Sequence, residues 1–163
     1  MVKFMRLDDR LIHGQVAIRW SKFLDIKMIL VANDLISQDP NQVRLLKMAA
    51  PPGIKCSVLT VDDAIKNVND PRAKDMVIMI IVNNFRDILR IAQGATDQIE
   101  RINFGNQTIM DTTGLRKITQ FVYVTDDDLA CIEELQKLGL NIDCQIRPEM
   151  AFVTLESALK SLS

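Results

Sequence analysis

Asp8, Asp9, Arg10, His13, Gly14 and Gln15 fall within eight consecutive residues, and His13 is the only histidine of the chain. A free imidazole, with a reference pKa of about 6.5, is mostly neutral at pH 7 and available as a nucleophile. A carboxylate from Asp8 or Asp9 could accept one ring N–H, fix the tautomer and leave the other nitrogen to attack. Arg10 suits a transferring phosphoryl group, whose charge is spread over three oxygens. Gly14 lets a phosphate approach the backbone closely, and a helix starting there adds unpaired N–H groups and the positive end of its dipole. Together these types and spacings suit phosphoryl transfer. A loop or capping histidine beside turn-forming aspartates is the plain structural alternative.

The rest of the composition narrows the classes. The chain has 163 residues, the size of one ordinary domain, so a single domain over residues 1–163 is expected. Twenty basic and twenty-one acidic side chains nearly cancel and are interspersed, leaving no polycationic face for nucleic acid or anionic lipid. The start, MVKFMRLDDR, lacks the apolar core of a signal peptide. The longest apolar runs are far below the roughly 20 residues that span a bilayer. Cys56, Cys131 and Cys144 are odd in number and widely spaced, which fits a reduced, cytoplasmic setting. With one histidine and no CxxC, neither a metal nor another cofactor is expected.

Short apolar runs alternate with segments of helical period, the pattern of a mainly parallel sheet wound with helices on both faces. Strands are expected at Lys3 to Leu7, Ile26 to Ala32, Ile54 to Leu59, Asp75 to Val82, Ile99 to Phe104, Lys117 to Val124 and Asn141 to Ile146. Between them, a helix from Gly14 to Leu24 should turn Val16, Trp20, Phe23 and Leu24 inward, leaving Ile18 outside. Others follow Asp39-Pro40, Thr60, Val82 and Thr125, the last stopped by Gly139, and a short helix closes the chain near Leu155 to Leu162. Gly105 to Gly114 reads as a loop. In open α/β sheets ligands gather beyond the carboxyl ends of the strands, where His13 leaves the first strand. On the same geometry Asp9, Asn33 and Asp34 are expected as loop neighbours of the site.

The run RLDDRLIHGQV, Arg6 to Val16, resembles the amino-terminal signature of the mannose/fructose/sorbose family of enzyme IIB components of the bacterial phosphoenolpyruvate-dependent sugar phosphotransferase system. RINFGN, Arg101 to Asn106, and YVTDDDLACIEELQKLGLNIDCQIRPE, Tyr123 to Glu149, resemble later segments of that family. The resemblance implies an open, mainly parallel, seven-stranded α/β fold and a protein-N(pi)-phosphohistidine-sugar phosphotransferase. His13 would accept phosphate on Nδ1 from a phosphohistidine of enzyme IIA and pass it to a sugar held by the IIC/IID membrane permease. It implies that Arg10 binds the phosphoryl group, that Asp8 orients the ring, and that Gly14 and Gln15 open the phosphate-binding helix. Because the chain begins at the first strand, enzyme IIA is expected as a separate polypeptide. The protein would be cytoplasmic and peripheral to the permease. A homodimer is compatible with the residues.

Two other classes bear comparison. A receiver-like domain carrying phosphate on aspartate also has an acidic pair after its first strand, but Asp62 and Lys117 fit its remaining requirements poorly. A noncatalytic binding domain using the same loop would lose little when His13 is replaced by Gln. The resemblance implies that the sugar is bound by the permease rather than by this chain.

Overall fold

A computed structural model describes residues 1–162. In chain order the elements are β1 (Val2–Asp8), α1 (Gly14–Phe23), β2 (Met28–Ala32), α2 (Pro40–Ala49), β3 (Lys55–Leu59), α3 (Val61–Asn69), β4 (Ile78–Val82), α4 (Phe85–Gly94), β5 (Ile102–Asn106), β6 (Arg116–Thr119), β7 (Val122–Val124), α5 (Asp126–Lys137), β8 (Ile142–Cys144), β9 (Val153–Thr154) and α6 (Leu155–Lys160). Seven strands form one sheet in the order β3-β2-β4-β1-β5-β8-β9, parallel except for β9. The expected mainly parallel, seven-stranded α/β fold is therefore the observed one.

Alternation along the central strands explains the two layers. Met5, Leu7, Leu30, Ile78, Ile80 and Val82 pack with α3, α4, α5 and α6, whereas Phe4, Ile29, Val31, Met79 and Ile81 pack with α1 and α2. Each β-strand sends successive side chains to opposite faces, so a strand covered on both sides must be apolar throughout, as β2 and β4 are.

Membership of the sheet differs from expectation at two places. Lys117 to Val124 is not one strand but the antiparallel hairpin β6-β7, a separate two-stranded sheet. Its turn at Gln120-Phe121 has no glycine, proline or asparagine to announce it. The seventh strand is instead β9, a two-residue edge strand too short to show any period.

Phe23 also departs from its expected place, being 64% exposed at the end of α1. The buried stripe of that helix is Ala17, Trp20 and Ser21. Two small residues carry the close approach to the sheet, and an apolar pattern gives them little weight. Phe23 is left at the rim, its ring edge-on to Trp20 at 6.1 Å.

The connection after β1 runs toward β2, and the chain beyond β5 runs the other way, toward β8. The connections leaving adjacent β1 and β5 therefore diverge, the arrangement at which such sheets open a crevice. The segment Asp9 to His13 leaves β1 there.

Candidate functional site

The β1-α1 loop is built by burying its middle and presenting its ends. Leu11 and Ile12 insert into the α1-side core, Leu11 with a φ of 57° and its N–H on the Asp8 carbonyl at 3.0 Å. Arg10 precedes that tight, left-handed residue in the chain and His13 follows the buried pair. His13 is exposed and caps α1 by position only: its side chain makes no capping bond. The other five α-helices all begin with a side-chain cap, from Asp39, Thr60, Asn84, Thr125 and Thr154. At α1 the Gly14 and Gln15 N–H groups meet no acceptor among the described residues. Gly14 takes a φ of 33°, with open space where a Cβ would stand.

Asp8 lies beneath this surface, 1% exposed. Its Oδ1 accepts the Arg10 backbone N–H at 3.2 Å and lies 3.5 Å from Arg10 Nε, while Oδ2 accepts from Arg6 Nη2 at 3.3 Å. The carboxylate expected to orient the histidine ring thus lies against two arginines, and it bonds to Arg10 rather than to His13. Arg10 keeps Nη1 and Nη2 without a hydrogen bond among the described residues, its side chain about one-third exposed. One short loop thus carries a cationic fork, an imidazole without a hydrogen bond among the described residues, and the unpaired N–H groups of a helix start. Such an arrangement favours an anion with several oxygens.

Asp9 accepts from the N–H and Oγ1 of Thr108, not from His13, and ties the loop to the segment after β5. Asn33 and Asp34 belong to a different cluster at the same end of the sheet. Asn33 accepts the N–H groups of Leu35 and Ile36 and donates to Asn83 Oδ1 at 3.1 Å. Asp34 accepts the Val61 N–H at 2.9 Å and Arg90 Nη1 at 2.7 Å, contacts that hold its carboxyl below the usual range. Neither bonds to the β1-α1 loop; both fasten the turn after β2 to its neighbours.

Sequence reasoning passed over Arg6, Asn103, Gly105, Arg101 and Asp143, which underlie the loop. Arg6 points from β1 to the α1 side and donates through Nη1 to Asn103 Oδ1 at 2.7 Å and to the Gln145 carbonyl at 3.0 Å. Asn103 donates to Asp143, which Arg101 holds with two bonds of 2.5 and 3.0 Å. Phe4 and Trp20 stack at 4.4 Å against this layer, with the Arg101 guanidinium 5.0 Å from the Phe4 ring. Arg6 opens the resembling run and Asn103 and Gly105 lie in RINFGN, so the signal for them was already present in those motifs.

The thiols lie apart from this loop: Cys56 in β3, Cys131 in α5 and Cys144 in β8. Burial raises the pKa of all three, Cys144 to about 12, which disfavours the thiolate a phosphocysteine would need. Asp62 sits in the first turn of α3 and pairs with Arg90, and Lys117 lies in the β6-β7 hairpin. No cluster of metal-ligating side chains occurs among the described residues, and no helix among them is long and apolar enough to cross a membrane.

Known proteins share both the sequence and the fold. Residues 2–162 match the family of the PTS system sorbose subfamily IIB component. The "Probable phosphotransferase enzyme IIB component" of Streptococcus pyogenes is 36% identical over 159 residues, covering 95% of this chain and 97% of that one. The PTS system mannose-specific EIIAB component of Escherichia coli is 30% identical over 143 residues, 88% of this chain but 43% of that longer protein. The crystal structure of the IIBSor domain of the sorbose permease from Klebsiella pneumoniae superimposes with a TM-score of 0.90 at 29% identity, covering 100% of this chain and 98% of that one. The chain belongs to the sorbose subfamily of IIB components of the sugar phosphotransferase system.

Proposed function

We propose that this IIB component carries phosphate on His13, receiving it from a phosphohistidine of enzyme IIA and delivering it to a sugar held by a IIC/IID membrane permease. The observation that carries this reading is an exposed His13 imidazole, unbonded among the described residues, at the uncapped start of α1, on the same short loop as an Arg10 whose Nη1 and Nη2 are also unbonded. In the first step the ring nitrogen, Nδ1 by the family resemblance, forms a bond to phosphorus while the donor's P–N bond breaks. In the second, a sugar hydroxyl oxygen bonds phosphorus, the electron pair of the P–N bond returns to His13, and the hydroxyl proton is released to solvent.

Arg10 and the N–H groups of Gly14 and Gln15 meet the phosphoryl oxygens in both steps, where fixed donors act without reorganising. Asp8 holds Arg10, so its part in the reaction runs through the arginine. The fused EIIAB relative from Escherichia coli supports enzyme IIA as donor, since one chain there bears both component names. Sorbose and mannose appear in the relatives' names; the wider mannose, fructose, sorbose and amino-sugar class is proposed for this chain. The site of action is the cytoplasm, at the permease face.

Incubation with phosphoenolpyruvate, enzyme I, HPr and a IIA donor, followed by mass spectrometry, tests the reading. Phosphate should appear on His13, labile to acid and stable to alkali, and should be absent from His13→Gln. An unmodified His13 across several IIA donors overturns it. An alkali-labile acyl phosphate would move the chemistry to an aspartate.

A further inference from the structure

We propose that Arg6 is a positioning residue for this phosphoryl transfer, gripping Asp8 from below so that Arg10 keeps its terminal nitrogens for the phosphoryl group. The proposal rests on the carrier reading of His13. One carboxylate serves two guanidiniums here: Asp8 Oδ2 meets Arg6 and Oδ1 meets Arg10. The side chains of Arg6 and Asp8 are each 2% exposed, so without Arg6 the carboxylate would be buried with Arg10 as its one cation. A buried charge left with a single partner draws that partner in. The Arg10 fork would then close on both Asp8 oxygens instead of presenting Nη1 and Nη2 outward.

Arg6 is itself fixed from three sides. Asn103 and the Gln145 carbonyl hold Nη1, and the Trp20 ring lies 5.8 Å from Cζ. Gly105 leaves room below: a Cβ there would collide with Arg6 Cζ and Nη1. The arrangement strains ordinary burial rules, because Arg6 Nε is buried with no partner and desolvation lowers the guanidinium pKa to about 10. Simple strand filling would be met by an apolar residue; a buried, imperfectly satisfied cation supporting a loop is the kind of local departure expected beside a working site.

The alternative is that Arg6 only fastens β1 to β5 and β8. A double-mutant cycle separates the two, because a residue acting through Arg10 has nothing left to act on once Arg10 is gone. Phosphoryl transfer from phosphorylated IIA is measured for the wild type, Arg6→Met, Arg10→Gln and the double variant. Arg6→Met should slow the maximal rate about 10²-fold, the scale of a small misplacement of a reacting group. The IIA concentration for half-maximal rate should stay within about twofold of wild type, since no docking contact is altered. The double variant should be no more than about threefold slower than Arg10→Gln alone. Losses that multiply overturn the proposal.

If circular dichroism shows Arg6→Met unfolded, Gly105→Ala takes its place, keeping every charge while displacing the guanidinium; a rate within about twofold of wild type then counts against the proposal. If the wild type itself accepts no phosphate, the carrier reading fails, and positioning is judged separately by NMR. The Arg10 Nε–H signal of the unphosphorylated chain should shift and exchange faster with water in Arg6→Met, or in Gly105→Ala where that variant replaces it. An unchanged signal overturns the proposal whatever the transfer assay gives.

Discussion

Two polar clusters stand at the carboxyl end of the sheet, one after β1 and one after β2 and β4. In the second, Arg90 faces three carboxylates, Asp34 at 2.7 Å, Asp62 at 3.2 Å and Asp87 at 3.3 Å. Asn83 Oδ1 accepts from both Asn33 and Asn84, Asn33 accepts the N–H groups of Leu35 and Ile36 in the turn after β2, and Asn84 bonds Asp87. Arg90 is fully answered there, and the starts of α3 and α4 are capped. In the first cluster two arginines share Asp8, Arg10 has free nitrogens, and α1 begins without a side-chain cap. Similar residue types thus give a fastener in one place and an anion-ready surface in the other, and what separates them is which donors remain without acceptors.

Substitution of the two clusters should break them differently. The largest effect falls on His13→Gln, which should abolish phosphate acceptance in the IIA assay while leaving the thermal midpoint unchanged, since the exposed ring bonds to nothing among the described residues. Arg10→Gln should slow transfer about 10³-fold, in line with arginines in other phosphoryl transfers. The matching change in the fastener, Arg90→Gln, should leave the rate within about twofold and cost about 1 kcal/mol in denaturant unfolding, because its pairs are partly exposed. A rate loss in Arg90→Gln comparable with that of Arg10→Gln would erase the distinction.

Glycine sharpens the contrast at smaller magnitude. Gly14 and Gly139 both adopt positive φ, 33° and 70°, and a Cβ at either would have no neighbour within 4 Å. Alanine at either should therefore cost about 1 kcal/mol of backbone strain and nothing from collision. On the proposed carrier reading Gly14→Ala alone should also slow transfer, by about tenfold, because its methyl would stand where the phosphoryl group is proposed to approach. Gly139, ending α5, should show the stability loss with an unaltered rate. Equal rates for the two variants would remove Gly14 from the phosphate-binding role.

The loop was legible because its parts are close in sequence: Asp8, Arg10, His13 and Gly14 span one turn and a helix start. The layer under it was not, because Arg6 meets Asn103 and Gln145 across 97 and 139 residues and no local period predicts such a bond. Apolar patterning also misplaced Phe23, since Ala17 and Ser21 make the close contact of α1. Asn33 and Asp34 were correctly put at the carboxyl end of the sheet, yet their partners lie in α3, α4 and the turn after β4. Strand order and hairpin β6-β7 depend on pairings that turn chemistry did not signal, whereas the helix caps at Asp39, Thr60 and Thr125 were written locally and appear as read.

The smallest test concerns acid. The Val61 N–H first, and then the Arg90 guanidinium, hold the Asp34 carboxyl below its unfolded value of 3.8. A carboxyl with a depressed folded pKa adds stability that is fully present above the unfolded pKa and is lost as pH falls through the folded one. Asp34→Asn retains an oxygen for the Val61 N–H but no charge for Arg90, so it should melt a few degrees lower than wild type at pH 6. Below pH 3.8 the advantage of the wild-type carboxyl is progressively forfeited, so the two melting curves should draw together as the pH falls. Other carboxylates held low, Asp39 by Gln42 and Asp70 by Arg72, lower both proteins together and cancel in the difference. Melting temperatures measured from pH 6 to pH 2 that stay parallel would mean that the Asp34 charge does not fasten this cluster, and the contrast with the β1 loop would then rest on geometry alone.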